Sequence, residues 1–260
     1  MGEKEKRCTA IVLAAGSGSR MHSGVAKQYM LLGGKPLIWY ALRAVERSAV
    51  IDDCILTASA SDLDYMRKEI VEKYGFHKVV SIVPGGAERY LSVACALRVV
   101  AEGAMPIPNR DGYLFIHDGA RPFLTEKILQ DTYKAVKKYH ACVAAMPSKD
   151  TVKIADEEGF ARDTPARRLV WTIQTPQVFD TQLIVNAYRQ LEENKDRLEK
   201  ERIFVTDDAS VAELFTDRKV KLVEGSYENI KVTTPEDMKI AEALLEGERE
   251  KTESSGKLRE

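Results

Sequence analysis

Residues 9–16 read TAIVLAAG, an uninterrupted apolar run that ends in small residues and a glycine. Such a run is typical of a strand that is buried on both faces of a sheet. After a loop, residues 36–48 carry apolar side chains at helical spacing, and Pro36 stands where a helix begins. A buried strand followed by a loop and a helix favours an α/β sheet, in which ligands bind to the loops that follow the strands.

The same alternation of strand-like and helix-like segments continues as far as residue 146. Strands are predicted over 51–57, 78–83, 112–117 and 141–146. Helices are predicted over 61–74, 88–102 and 125–139. Alternation at this spacing predicts βαβ units, and therefore a mostly parallel sheet that is flanked by helices on both faces.

The alternation stops after Pro147. Residues 151–155 and 160–161 flank a turn and predict a β-hairpin, whereas residues 170–179 are predicted to be irregular. We expect an arm over about residues 148–175 that leaves the main sheet. Its apolar side chains need a cover, and a second subunit is a natural candidate for that role.

Beyond the arm the regular pattern returns in shorter pieces. Helices are predicted over 181–191, 207–215 and 235–245, strands over 219–223 and 229–232, and a charged surface stretch over 192–202. Thr206 is predicted to cap the second of these helices. Residues 1–247 are therefore expected to form one domain, and the charged residues 248–260 a disordered tail.

The composition argues against several classes of function. The chain has 39 basic and 40 acidic side chains, and a net charge of −1 gives no general field for nucleic acid or an anionic membrane. No apolar run is long enough to span a bilayer, and the charged N-terminus lacks a signal-peptide core, so a cytoplasmic location is expected. The four cysteines and four histidines are scattered, which predicts buried free thiols and no zinc site.

The loop after the first strand carries the strongest signal for a ligand. It contains Gly16, Gly18, Arg20 and Lys27. The glycines allow backbone amides to approach an anion closely, and the two cations can hold phosphate oxygens. The loop does not complete G-x-G-x-x-G, because position 21 is Met, and the Walker pattern also fails in this region. A phosphate-binding loop of another kind is therefore predicted.

Three further clusters follow strands or lie within them. Residues 85–89 (GGAER), with Ser92 one turn later, offer glycines and a helix N-terminus to a base or a phosphate. Asp118 is well placed to hold a divalent cation, and Arg121 could grip a second anion. Lys231, between apolar neighbours, suits a developing phosphorane if it points into a crevice. Each cluster also has a purely structural interpretation, as a turn, an ion pair or a surface lysine.

Together these clusters supply glycine loops and cations with one carboxylate. The sequence offers no Ser-His-Asp arrangement and no C-x-x-C pair. This inventory favours a reaction in which the protein positions phosphates and neutralises their charge, without a nucleophile of its own.

Taken in order, the clusters resemble the 2-C-methyl-D-erythritol 4-phosphate cytidylyltransferases of isoprenoid synthesis. The resemblance covers about residues 8–247, and several motifs in one order are far more specific than any one of them. It is carried by AAGSGSRM at 14–21, KQY at 27–29, GGAER at 85–89, HDGARP at 117–122, KDTVK at 149–153, TPQ at 175–177, TDDAS at 206–210 and NIKVT at 229–233.

The resemblance implies a nucleotide-diphospho-sugar transferase-like (Rossmann-like) fold. The implied reaction transfers CMP from CTP to 2-C-methyl-D-erythritol 4-phosphate and releases pyrophosphate, with Mg²⁺ or another divalent cation. The implied assembly is a homodimer clasped through the β-arm. The implied nucleotide site consists of Ala14, Ala15, Gly16, Gly18, Gly86, Arg89 and Ser92. The implied catalytic residues, which grip the CTP phosphates and stabilise charge at the α-phosphorus, are Arg20, Lys27 and Lys231.

The resemblance also implies a site for the polyol phosphate. Asp118 would lie beside the metal and the reacting groups, with Arg121 holding the phosphate from one subunit. The remaining implied contacts are Thr151 and Arg167, on the arm of the other subunit, and Thr206. Arg168 stands next to Arg167, which leaves open which of the two arginines faces the substrate. The chain departs from many relatives at Ala87, where they carry an acidic or polar residue, so only the backbone around it is carried over.

Two other functions stay open. A D-ribitol-5-phosphate cytidylyltransferase would share the glycine loop and the motifs around Asp118 and Lys231. The arm sequence at 149–153 and the TDDAS run favour the methylerythritol enzyme. A non-catalytic nucleotide-binding module of the same fold is disfavoured, because binding alone does not require several cations that converge on the α-phosphate.

Overall fold

The computed structural model describes residues 6–16 and 26–257. Two of the predicted ligand-binding residues, Gly18 and Arg20, therefore lie outside the described residues. The strands are β1 (Cys8–Ala14), β2 (Leu31–Leu32), β3 (Lys35–Pro36), β4 (Asp53–Ala58), β5 (Val79–Pro84), β6 (Tyr113–Asp118), β7 (Ala141–Pro147), β8 (Ile154–Ala155), β9 (Ala161–Asp163), β10 (Trp171–Asp180) and β11 (Lys221–Glu224). The α-helices are α1 (Leu37–Arg47), α2 (Leu63–Tyr65), α3 (Arg89–Glu102), α4 (Glu126–Tyr139), α5 (Thr181–Glu193), α6 (Lys195–Glu201), α7 (Asp208–Phe215) and α8 (Pro235–Lys257).

Within the described residues, one sheet of seven strands has the order β11-β7-β10-β6-β1-β4-β5. β1 pairs in parallel with β4 and β6, β4 with β5, and β7 with β11. β10 runs antiparallel to both of its neighbours, β6 and β7. The sheet is mostly parallel, as predicted, and the carboxyl ends of β1 and β6 lie side by side, where a ligand site is expected.

Apolar cores lie on both faces of the sheet. One core includes α1, α4 and the π-helical segment Met66–Glu72, and the other includes α3, α5 and α7. Neighbouring residues of β1 belong to different cores, Val12 to the first and Ile11 to the second. A strand that is covered on both faces has no polar side, which explains the continuous apolar run at residues 9–13.

The segment 170–179, predicted to be irregular, is a central strand instead. β10 runs from Trp171 to Asp180 and pairs with β7, with a shift in register between Ile173 and Gln177. The cause of the error is Pro176, since a proline within a run normally argues against a central strand. Residues 171–175 therefore belong to the sheet, and the arm ends near residue 170.

Three other segments differ from the sequence prediction. Residues 229–232, predicted as a strand, lie in an irregular loop. Residues 192–202, predicted as a charged surface stretch, are mostly exposed as expected, but residues 195–201 among them form α6. α8 continues to Lys257, so residues 248–257 of the expected tail are helical. In the last two cases Glu, Lys and Arg, which are good helix formers, make up most of the segment, and charge by itself does not argue against a helix.

The arm spans residues 148–170 and connects β7 to β10. β8 and β9 pair antiparallel across a turn at residues 156–159, as the hairpin pattern predicted. Phe160 is 69% exposed and Leu169 67% exposed, so large apolar side chains on the arm remain uncovered in the single chain.

Two predictions from composition can also be compared with the structure. All four cysteines are free; Cys8, Cys54 and Cys142 are buried and Cys95 is half-buried. Over the described part of the chain, no helix has both the length and the apolar character that crossing a bilayer requires.

Candidate active site

A cleft of about 190 Å³ opens at the carboxyl ends of β1 and β6. The loop after β5 and the loop that carries Lys231 complete its walls. The cleft therefore brings together every described residue that the sequence predicted for the nucleotide and for catalysis, and Asp118 with them. Those that line it are Ala14, Ala15, Gly16, Lys27, Gly86, Arg89, Ser92, Asp118 and Lys231.

The Gly-Gly loop after β5 is packed tightly against the first turn of α3. Ser92 Oγ accepts a hydrogen bond of 3.1 Å from the backbone N–H of Gly86. A Cβ added at Gly85 would lie 2.7 Å from Ser92 Oγ and would collide with the Cβ of Ala15. Glycine is required here because the backbone of this loop passes directly over the end of β1. Ser92 fixes the loop, and the loop forms one wall of the cleft.

Asp118 is the charged centre of the cleft. Its Oδ1 accepts a hydrogen bond of 2.9 Å from Arg89 Nε, and its Oδ2 one of 2.8 Å from Lys231 Nζ. Burial alone would raise the pKa of Asp118, but the positive charges of Arg89 and Lys231 outweigh it and hold this pKa well below its usual range. The carboxyl group is therefore an anion at neutral pH and keeps two cations at the cleft.

Sequence reasoning missed Asp208, which holds Arg89 from behind. Both terminal nitrogens of the guanidinium donate to the Asp208 carboxylate, at 2.9 and 2.7 Å. Asp208 is fully buried, and Tyr188 Oη donates to it at 2.6 Å. Its motif, TDDAS, was recognised, but two adjacent aspartates give no sign of which one points inward. Arg89 thus links Asp208 to Asp118 and fixes the geometry of the cleft.

Sequence reasoning also missed Gln28, which lines the cleft beside Lys27. Its side chain is 4% exposed, and its Oε1 has no hydrogen-bond partner. A buried acceptor without a partner is costly, and a donor group on a ligand would satisfy it. Gln28 is part of the KQY motif at 27–29, but no role was predicted for it because it is uncharged and stands next to Lys27.

Arg121 lies outside the lining of the cleft, in the turn after β6. Its Nη1 donates at 2.7 Å to the carbonyl oxygen of Asn229, while its Nε is buried without a partner. Its Nη2 donates to the carbonyl oxygen of Ile173 at 3.5 Å, so both terminal nitrogens are anchored and Nε–H is the donor left without a partner among the described residues.

Three predicted substrate residues are not brought to the cleft within the single chain. Thr151, Arg167 and Thr206 are exposed, and the described lining of the cleft includes none of them. Arg167 Nη1 donates at 3.5 Å to the carbonyl oxygen of Lys149, another residue of the arm. Arg168 is exposed as well, so one chain does not distinguish the two arginines.

The described residues contain no group of three or more His, Cys, Asp or Glu side chains that would hold a metal ion. Two carboxylates of the described residues line the cleft, Asp118 and Glu88, and Glu88 lies at the N-terminus of α3. A metal ion here would need most of its ligands from a bound phosphate compound.

The fold and the cleft define the class of this protein: it is an α/β nucleotidyltransferase, with the ligand site at the carboxyl ends of its parallel strands. A model of the family described as "2-C-methyl-D-erythritol 4-phosphate cytidylyltransferase" matches residues 8–247. The chain belongs to that family.

Curated relatives and solved structures agree with this assignment. A 2-C-methyl-D-erythritol 4-phosphate cytidylyltransferase of Lachnospira eligens is 46% identical over 241 residues, which is 92% of this chain and 99% of that protein. One of Lachnoclostridium phytofermentans is 41% identical over 92% of this chain and 97% of its own length. The crystal structure of 4-diphosphocytidyl-2C-methyl-D-erythritol synthase from Anaerococcus prevotii matches with a TM-score of 0.79 at 37% identity, covering 93% of this chain and 96% of that one.

Proposed function

We propose that this protein transfers CMP from CTP to 2-C-methyl-D-erythritol 4-phosphate, giving 4-diphosphocytidyl-2-C-methyl-D-erythritol and pyrophosphate in the non-mevalonate pathway. The observation that carries the proposal is the convergence of Lys27, Lys231 and Asp118 on one glycine-lined cleft. Membership of the family supports the methylerythritol substrate over ribitol 5-phosphate.

In the proposed reaction a phosphate oxygen of the polyol phosphate attacks the α-phosphorus of CTP, and pyrophosphate leaves. No nucleophile from the protein is needed, so the protein contributes position and charge. The backbone of residues 14–16 and Gly86 receives the nucleotide, with Ser92 holding the loop. Lys27 and Lys231 offset the negative charge that develops on the phosphoryl oxygens, and Arg20 has the same proposed role.

Mg²⁺ or another divalent cation fits the donor set at Asp118. Mg²⁺ in nucleotide enzymes is commonly held by one or two carboxylates together with substrate phosphates, and Asp118 is an ionised carboxylate at the cleft. Asp118 would hold the ion through one of the two oxygens that Arg89 and Lys231 contact in this structure. The ion would supply positive charge that offsets the negative charge of the CTP phosphates.

We also propose that the protein is a homodimer whose arms complete the polyol-phosphate sites. Arg121 holds the phosphate in one subunit, while Thr151 and Arg167 reach it from the arm of the other, with Thr206 as a further contact. Two features support this arrangement: the arm residues lie outside the cleft of their own chain, and Phe160 and Leu169 leave the arm with an apolar surface.

The test is pyrophosphate release from CTP and Mg²⁺, with 2-C-methyl-D-erythritol 4-phosphate and D-ribitol 5-phosphate offered in parallel. We expect release with the first compound and little with the second. Release with ribitol 5-phosphate alone would keep the chemistry and change the substrate. Measurable CTP binding without release from either compound would support a nucleotide-binding module instead.

A further inference from the structure

Lys231 lies in an irregular loop, yet its Nζ is placed 2.8 Å from Asp118 Oδ2. We propose that Asn229 is a positioning residue for Lys231 and Arg121, which it holds at the site through a side-chain clasp with Gln174. The kinetic part of this inference rests on the proposed function, whereas the contacts that carry it do not.

The clasp consists of two buried amides that join β10 to the loop at residues 225–229. Asn229 is fully buried, and its Nδ2 donates to the carbonyl oxygen of Thr175 at 2.9 Å and to Gln174 Oε1 at 3.3 Å. Gln174 Nε2 in turn donates to the carbonyl oxygen of Ser226 at 2.7 Å. A Cβ at Gly225 would collide with Gln174 Oε1, so loop and strand are in direct contact.

The irregular part of β10 makes this clasp possible. Pairing with β7 is interrupted between Ile173 and Gln177, which frees the polar groups of Gln174 and Thr175 for other partners. Thr175 Oγ1 accepts a hydrogen bond of 3.1 Å from the backbone N–H of Asp118. One interruption in a central strand therefore supports both members of the Asp118–Lys231 pair.

Lys231 is fixed from both sides along the chain. Asn229 precedes it by two residues, and the next residue, Val232, is fully buried and donates its N–H at 2.8 Å to the carbonyl oxygen of Ala120. Asn229 also accepts the hydrogen bond of 2.7 Å from Arg121 Nη1 through its carbonyl oxygen. Loss of the clasp would release one anchor of Lys231 and the support of Arg121 together.

A buried asparagine in a merely structural role is available as a matched control. Asn109 is 1% exposed, and its Nδ2 donates to Thr9 Oγ1 at 2.9 Å and to the carbonyl oxygen of Tyr113 at 3.1 Å. It lies at the opposite end of β6 from Asp118. Asn→Asp at either position keeps the shape of the side chain but replaces the amide donor with a carboxylate oxygen, which then faces the acceptor oxygens that the amide had bonded.

The first experiment compares Asn229→Asp with Asn109→Asp. For Asn229→Asp we expect kcat to fall by about tenfold or more, while KM for CTP stays within about threefold. For Asn109→Asp we expect a similar or larger fall in Tm, with kcat within about twofold of wild type. If kcat fell in proportion to Tm in both variants alike, the proposal would be overturned.

The second experiment repeats Asn229→Asp in a Lys231→Ala background. If Asn229 acts through Lys231, its effect on kcat disappears there, and the effect that remains is a rise in KM for the polyol phosphate through Arg121. An undiminished fall in kcat would show that Asn229 does not act through Lys231.

A third measurement does not depend on turnover. Competitive acetylation, read by mass spectrometry, reports how freely each lysine amine reacts. We expect the acetylation rate of Lys231 to rise several-fold in Asn229→Asp and to stay at the wild-type value in Asn109→Asp. If wild type shows no turnover, the proposed function fails while this measurement still tests the clasp. Equal reactivity of Lys231 in wild type and Asn229→Asp would overturn it.

Discussion

His117 of β6 is 1% exposed. Its ring contacts the turn after β6 on one side and the irregular part of β10 on the other. Its Nε2 is 3.2 Å from the carbonyl oxygen of Arg121, which can only accept, so Nε2 carries the proton. Its Nδ1 then accepts from Thr175 Oγ1 at 3.0 Å. Burial lowers the pKa of His117 from 6.5 to about 4, so the ring is neutral at pH 7.

We predict that this histidine makes the protein less stable as the pH falls from 6.5 towards 4. In that range the unfolded chain binds a proton at His117 and the folded chain does not, so protonation favours unfolding. The shift corresponds to about 3 kcal/mol of unfolding free energy. Urea unfolding at a series of pH values should show this loss in wild type and a smaller loss in His117→Gln. The control is His77→Gln, since His77 is exposed. If both variants reduced the pH-dependent loss of unfolding free energy equally, the prediction would be contradicted.

Among the elements, α7 shows how a short helix is fixed to the sheet. Asp207 caps it: Oδ1 accepts from the N–H of Ser210 at 2.9 Å, and Ser210 Oγ accepts from the N–H of Asp207 at 3.2 Å. Gln177 of β10 donates to Asp207 Oδ2 and accepts from the N–H of Ala209, both at 2.8 Å. The prediction that Thr206 caps this helix was therefore wrong by one residue. The cap and Gln177 together direct Asp208 towards Arg89.

Replacement of Asp207 by Ala should lower the free energy of unfolding by about 1–2 kcal/mol, because it removes the cap and a bond to the central strand. Thr206→Ala is the matched control, and we expect it to change stability by less than about 0.5 kcal/mol, since Thr206 is exposed. Urea unfolding of the two variants measures both values. A larger loss for Thr206→Ala would restore Thr206 as the cap.

At the scale of the whole molecule, one chain contains the cleft and an arm that does not reach it. Arg121 lies beside the cleft, whereas Arg167 is exposed on the arm. The proposed dimer resolves this separation, because each site then takes its body residues from one subunit and its arm residues from the other. Arg121 and Arg167 then meet the substrate from opposite sides of the interface.

This arrangement predicts complementation between two strongly impaired variants. A dimer that pairs Lys231→Ala with Arg167→Ala has one site with both residues intact and one that lacks both. Co-expression in equal amounts, followed by purification, should recover about a quarter of wild-type activity, since half of the dimers are mixed and each has one active site. Arg168→Ala in place of Arg167→Ala identifies which arginine faces the substrate. No recovery with either arginine variant would show that the sites are not shared.

The sequence by itself determined the fold class and most of the residues of the cleft. Strands buried on both faces leave continuous apolar runs, and tight turns next to a ligand leave glycines, so both are visible along the chain. The motifs around Lys27, Gly86, Asp118 and Lys231 each follow or adjoin such elements, and the structure brings all four to one cleft. Local signals were sufficient here because parallel strands place their carboxyl ends at one edge of the sheet.

Only the tertiary structure decided which polar residues support those groups. β10 was not predicted because Pro176 argues against a central strand. No partners could therefore be assigned to Gln174 and Thr175, which lie in the same strand. Asp208 and Asn229 act through residues far away in sequence, Arg89 and Gln174, and no spacing along the chain reveals such pairs. A buried polar side chain is stable only where a partner is provided, and the fold alone determines where that partner lies.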